Sequence, residues 1–192
     1  MNKHTFKPMQ FPLNPIHIAI DLETASIAPN AAIVQLAAYT SDMRCFNQYI
    51  SLASCEAAKL DVSTETMDWW SKQDPALRNR VFGGNTSVKE AVENFIDWCN
   101  ELCGGDYNRI VLWGNGVDFD NTILKSAIEV FYSWPFSYRN QHHLRTLLAL
   151  TPLDVCERMH NQFDSNGDKH DALEDARYQY HMTNKALLYH GY

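Results

Sequence analysis

The sequence predicts an α/β fold, a mixed sheet with helices packed on its faces. Three observations predict it: strand-like runs come first, helical and strand patterns alternate after them, and the last stretch is a long helix. The 192 residues suit one domain with a full hydrophobic core. We divide them into an N-terminal arm, 1–15, and a folded domain, 16–192.

The strand-like runs are "IHIAIDLE" (16–23), "AAIVQLAAYT" (31–40) and "MRCFNQYIS" (43–51), with turns signalled by "APN" and "SD". "STETMDWWSKQ" then reads as helix with Ser63 as N-cap. Asp74-Pro75 caps and starts another, since proline is tolerated at the first helical position. "SVKEAVENFIDWCNELCGG" is the clearest helix: Ser87 and Glu90 form a capping box, and Gly104-Gly105 stop it. Val88, Ala91, Val92, Phe95, Cys99 and Leu102 recur there at helical spacing. "RIVLW" (109–113) is a short buried strand, and "FDNTILKSAIEVFY" returns to helix. The final helix runs from about Asp171 to Tyr189, with Leu173, Ala176, Tyr180, Thr183 and Leu187 sharing a face.

The apolar fraction of 45% with 20% charged residues is that of a globular chain. No apolar run approaches the ~20 residues a bilayer requires, and "MNKHTFKPMQFPLNP" lacks the apolar core of a signal peptide. The five cysteines form no CxxC pair and no zinc set, which fits free thiols in a reducing, cytoplasmic setting. A net charge of −7 argues against a protein that coats nucleic acid electrostatically. It leaves room for an enzyme whose acidic cleft is inverted in sign by bound cations.

Chemistry is concentrated at element ends. In "HIAIDLETAS", side chains two apart share a strand face, so Ile18 and Ile20 point one way and Asp21 and Glu23 the other. Two adjacent carboxylates at the edge of a core raise each other's pKa and call for a compensating cation. "WGNGVDFDNTIL" adds Asp118 and Asp120 between a strand and a helix, and "HDALEDA" adds His170 and Asp175 where the last helix begins. Each motif is weak alone, being as common on solvated surfaces. Their order along the chain is specific.

In that order they resemble the DEDDh family of 3′→5′ exonucleases on the ribonuclease H-like fold, nearest to the phage DexA-type and exodeoxyribonuclease VIII-like members. "DLET", "GNGVDFDNTIL" and "HDALED" match the three exonuclease motifs, and "TMDWWSKQDPALRNRVF" and "HHLRTLL" resemble segments between them. The resemblance implies a five-stranded mixed sheet with helices on both faces. It also implies a metal-dependent enzyme that releases nucleoside 5′-monophosphates from single-stranded 3′ ends, DNA favoured over RNA. The middle acid that follows an aromatic and opens a helix is Asp120, leaving Asp118 as an exposed bystander. His170, five residues before Asp175, marks the histidine branch.

Phosphodiester hydrolysis by two divalent cations needs oxygen ligands, which Mg²⁺ prefers, with Mn²⁺ as a substitute. The resemblance implies that Asp21 bridges two Mg²⁺ ions, that Glu23 and Asp175 bind the ion holding the attacking water, and that Asp120 supports the other. His170 would take the proton, its ordinary pKa suiting a base at neutral pH. Thr24 would grip the terminal nucleotide and Leu22 would lie near its base. Asn115 either contacts substrate or completes a turn, and Arg139 and Arg145 either bind phosphate or are surface residues. Trp69 and Trp70 either stack on bases or divide between core and surface. The competing readings are an exoribonuclease of the same fold, a non-catalytic nucleic-acid-binding module and a small-nucleotide phosphodiesterase. No membrane partner is expected, and a homodimer is compatible with the resemblance.

Overall fold

The computed structural model describes residues 10–164 and 170–192; part of the expected N-terminal arm, residues 1–9, lies outside the described residues. Five strands form one mixed sheet in the order β3-β2-β1-β4-β5, as the resemblance implies. They are β1 (Ile16–Thr24), β2 (Ile33–Tyr39), β3 (Cys45–Tyr49), β4 (Ile110–Gly114) and β5 (Gln141–His143). The first three pair antiparallel through short turns, whereas β1/β4 and β4/β5 are parallel. Asp42 and Met43 both adopt positive φ at the β2–β3 turn.

The helices are α1 (Leu52–Ala57), α2 (Thr64–Ser71), α3 (Pro75–Val81), α4 (Val88–Cys103), α5 (Asp120–Glu129), α6 (Leu144–Ala149), α7 (Leu153–Asn161) and α8 (Ala172–Tyr189). The expected caps are in place. Ser63 Oγ accepts from the Thr66 amide, Asp74 from Ala76 and Leu77, and Ser87 from Glu90. Gly104 ends α4 at φ 62°, a left-handed turn that glycine adopts without a Cβ clash.

Alternation along β1 separates two chemistries. Ile18, Ile20 and Leu22 join Leu36, Ile110 and Leu112 in the main apolar core, filled by Phe95 and Cys99 of α4 and by Ile123, Leu124 and Ile128 of α5. The opposite face carries Ala19 and Asp21 of β1 and their partners on β2, Ala37 among them. α8 lies across this side, its Leu187 packing against Val111 and Trp113 of β4. Ala19, Ala37, Ala172 and Ala176 are fully buried, and their small side chains let helix and sheet approach closely.

The buried face of α8 differs from the expected one. Ala172, Ala176, Gln179, Met182, Thr183, Ala186 and Leu187 are buried, while Leu173 and Tyr180 are only half-buried. The helix is turned so that polar Gln179 faces the sheet, for the reason developed below. From the expected arm, Phe11 packs edge-on against His17, His142 and Tyr192. All five cysteines are free thiols, and no helix among the described residues is long and apolar enough to cross a membrane.

Candidate active site

Parallel pairing of β1 and β4 puts their C-terminal ends side by side, where open α/β sheets gather ligand groups. Asp21 and Glu23 end β1, Asp120 opens α5 just after β4, and Asp175 lies in the first turn of α8. One oxygen from each of Asp21, Glu23 and Asp175 lies within 4.8 Å of the other two. These three and Asp120 line a single pocket of about 390 Å³ with Leu22, Asn115, Asp118, Phe119, Arg145 and His170.

The carboxylates crowd one another. Burial, then Asp120, Glu23 and Asp175, hold Asp21 well above the usual carboxylate range, opposed by a hydrogen bond from Gln179. Glu23 is pushed up to about 8 by burial and by Asp175, Asp171 and Asp120. Asp120 is raised to about 6 by burial, against backbone hydrogen bonds at Gly116 and Leu22 and the charge of Arg145. Asp175 is also raised by burial, against the opposing pull of His170. Such a donor set of hard oxygens, short of compensating charge, fits divalent cations. The N-terminal ends of α5 and α8 add partial positive charge beside Asp120 and Asp175.

Two local features set Asp120. Gly114, the last residue of β4, has no room for a side chain: a Cβ would lie 2.6 Å from Asn121 Oδ1 and 3.1 Å from Asp120 Oδ2. Asp118 lies at the exposed rim of the pocket, its side chain 87% exposed and 3.4 Å from His143 Nε2. Of the two acids of the second motif, Asp120 is buried and Asp118 exposed, and both line the pocket.

The start of α8 is held by a network absent from the sequence reading. Asp171 caps the helix through the Leu173 amide and accepts from Gln35 Nε2, Tyr49 Oη and Arg80. Fully buried Gln35 also accepts the Ala172 amide at 3.2 Å and donates to Asn47. His170, immediately before, is exposed at φ 64°, with the Trp69 ring edge-on at 5.3 Å. No motif advertised Gln35, but cross-strand register pairs it with Glu23.

Beside the acidic pocket lies a more apolar cavity of about 410 Å³, lined by Leu22, Glu23, Thr24, Ile27, Glu65, Thr66, Trp69, Trp70 and Phe119. Leu22, Glu23 and Phe119 border both. Thr24 donates its hydroxyl to Ser26 O, and its carbonyl accepts from Trp70 Nε1 at 2.9 Å. Trp70 is thus core, whereas Trp69 is 41% exposed on the cavity wall. Arg145 lines the acidic pocket, while Arg139 stacks over the Tyr138 ring.

The fold is shared with solved nucleases. Cell-death related nuclease 4 (CRN-4) is similar with a TM-score of 0.62 and 16% identity, over 92% of this chain and 64% of that one. The present chain therefore spans somewhat less than two thirds of CRN-4. The nuclease domain of 3′hExo, a DEDDh family member bound to rAMP, gives a TM-score of 0.63 and 13% identity over 95% and 96% of the two chains. No curated protein matches the sequence. Residues 16–187 match the family model of the 3′-5′ exoribonuclease Rv2179c-like domain. With most of its length in that match and the DEDDh nuclease fold around its acidic pocket, the chain belongs to the Rv2179c-like family of 3′-5′ exonucleases.

Proposed function

We propose that the protein is a metal-dependent exonuclease that removes nucleoside 5′-monophosphates one at a time from single-stranded 3′ ends. The observation that carries this reading is the convergence of Asp21, Glu23, Asp120 and Asp175 on one pocket with His170 at its mouth. Asp21, Glu23 and Asp175 would hold divalent cations, Mg²⁺ or Mn²⁺, with Asp120 alongside. When bound, such ions neutralise phosphoryl charge, activate water and stabilise the leaving 3′ oxygen.

The chain's own residues supply the remainder. Exposed His170, beside Asp175, takes the proton of the attacking water. Arg145 meets a non-bridging phosphate oxygen. The terminal base enters the neighbouring cavity, between Leu22, Phe119 and the exposed face of Trp69. Thr24, which lines that cavity, flanks its sugar, and Asn115 lines the acidic pocket.

The sugar is the finer question. The phage-type resemblance expects DNA; the exoribonuclease description of the family and the ribonucleotide bound to 3′hExo support RNA, and we propose RNA as the preferred substrate. Matched end-labelled single strands of RNA and DNA test both levels. A 5′ label should give a shortening ladder and a 3′ label immediate mononucleotide, with EDTA abolishing both. Internal cuts in a circular single strand would overturn the exonuclease reading, and faster DNA decay would overturn only the sugar.

A further inference from the structure

We propose that Gln179 is a positioning residue for the metal centre, fixing the Asp21 carboxylate and locking it to the same helix that delivers Asp175. The inference rests on the metal-dependent reading above. Gln179 is 4% exposed, and its Nε2 donates to Asp21 Oδ1 at 2.6 Å. The charged groups that raise Asp21 are carboxylates: Asp120, Glu23 and Asp175. Once ionised around a bound cation these carboxylates would only accept hydrogen bonds, so none of them would then orient Asp21 as a donor.

The chemistry of an amide suits the task. An ionised carboxylate offers about four lone-pair sites, and one neutral N–H occupies one of them. The others stay available to cations. A lysine or arginine in the same place would orient Asp21 equally well but would cancel the charge that attracts a metal ion. Gln179 stands four residues after Asp175, so both side chains leave the same face of α8. Any slide or rotation of α8 on the sheet would move ligand and clamp together, keeping Asp175 in register with Asp21.

The position is poorly explained by stability alone. Gln179 Oε1 is buried with no hydrogen-bond partner, and so is Thr183 Oγ1 one turn further along. An unpaired buried acceptor is costly to a fold, a cost that leucine or methionine would avoid. The polar face of α8 is thus kept at the expense of the fold, in the place where it reaches Asp21.

Calorimetric titration of the full chain with Mn²⁺, with no nucleic acid present, tests the proposal. Gln179→Met keeps the length of the side chain and removes the donor. Gln179→Asn keeps the amide but leaves it one methylene short. Both should weaken Mn²⁺ binding by about 10–100-fold, the usual worth of a partner behind a ligand. The Mn²⁺ concentration for half-maximal activity should rise in parallel, with KM for the oligonucleotide little changed. Thr183→Val, on the same buried face without contact to Asp21, should bind Mn²⁺ as the wild type does. Should one Gln179 variant fail to fold by circular dichroism, the other decides. Unaltered Mn²⁺ affinity in a folded Gln179 variant would overturn the positioning role. A wild-type chain that takes up no Mn²⁺ would instead overturn the metal centre itself.

Discussion

Glu23 and Gln35 are cross-strand partners on β1 and β2, one a wall of the acidic pocket and the other the clamp on the start of α8. Removing the Gln35 amide leaves the Ala172 N–H buried and Asp171 short of a donor. Gln35→Leu should therefore lower the unfolding free energy by about 2–3 kcal/mol, read from urea denaturation. Turnover should fall with it, because His170 and Asp175 flank the loosened segment.

The pH dependence of stability follows from Glu23. In the unfolded chain its carboxyl titrates near ~4.3, and in the fold at about 8. Between those values the folded protein keeps a proton that the unfolded chain has lost, so stability falls as pH rises. Asp120, at about 6, adds to the lower part of the window. In EDTA, Tm should decline from about pH 5 to about pH 8, and Glu23→Gln should flatten the decline. Mg²⁺ should restore Tm most at the alkaline end, where the carboxylates are ionised. A Tm that climbs across this window in EDTA would contradict the assignment.

His170→Ala should slow turnover by ~10²–10⁴-fold while Mn²⁺ binding persists. Asp175→Asn should abolish both activity and the metal-induced rise in Tm. Asp118→Asn, exposed and outside the acid cluster, should stay within about twofold of wild type, in line with ordinary surface substitutions.

Gly114→Ala tests how Asp120 is placed. A methyl group there meets Asn121 Oδ1 and Asp120 Oδ2, and both of those residues are buried. Overpacking of this kind costs about 1–3 kcal/mol and must shift one of the two. Single-turnover rates should drop well beyond what the change in Tm explains, since the methyl group reaches the pocket acid directly.

Much of the scaffold was legible because its periodicities are strong. β1 alternates apolar and acidic positions to its end, and α4 carries a capping serine, a helical stripe and a glycine stop. β5 was not legible: "QHH" has neither alternation nor branched side chains, and it becomes a strand only by pairing with β4. The face of α8 was misjudged at Gln179, since hydrophobicity ranks glutamine outward and the contact to Asp21 turns it inward. In the site, the acids announced themselves by their order along the chain, and the resemblance, whose middle acid follows an aromatic and opens a helix, selected Asp120 over Asp118. Gln35 and Phe119 gave no such signal, because their roles depend on strand register and on which cavities meet at one wall.

Trp69 stands between the apolar cavity, the imidazole of His170 and bulk water, each of which would change in the proposed turnover. Its indole is a resident fluorophore at the mouth of the cleft. A stacked base quenches indole emission by contact, and a nearby imidazolium quenches it by electron withdrawal. Trp70, beneath it and 1% exposed, has its N–H committed to Thr24 O while also lining the cavity. On the proposed function, loading of the cleft should therefore change the intrinsic emission over the background of Trp70, Trp98, Trp113 and Trp134, with no label on either the protein or the nucleic acid.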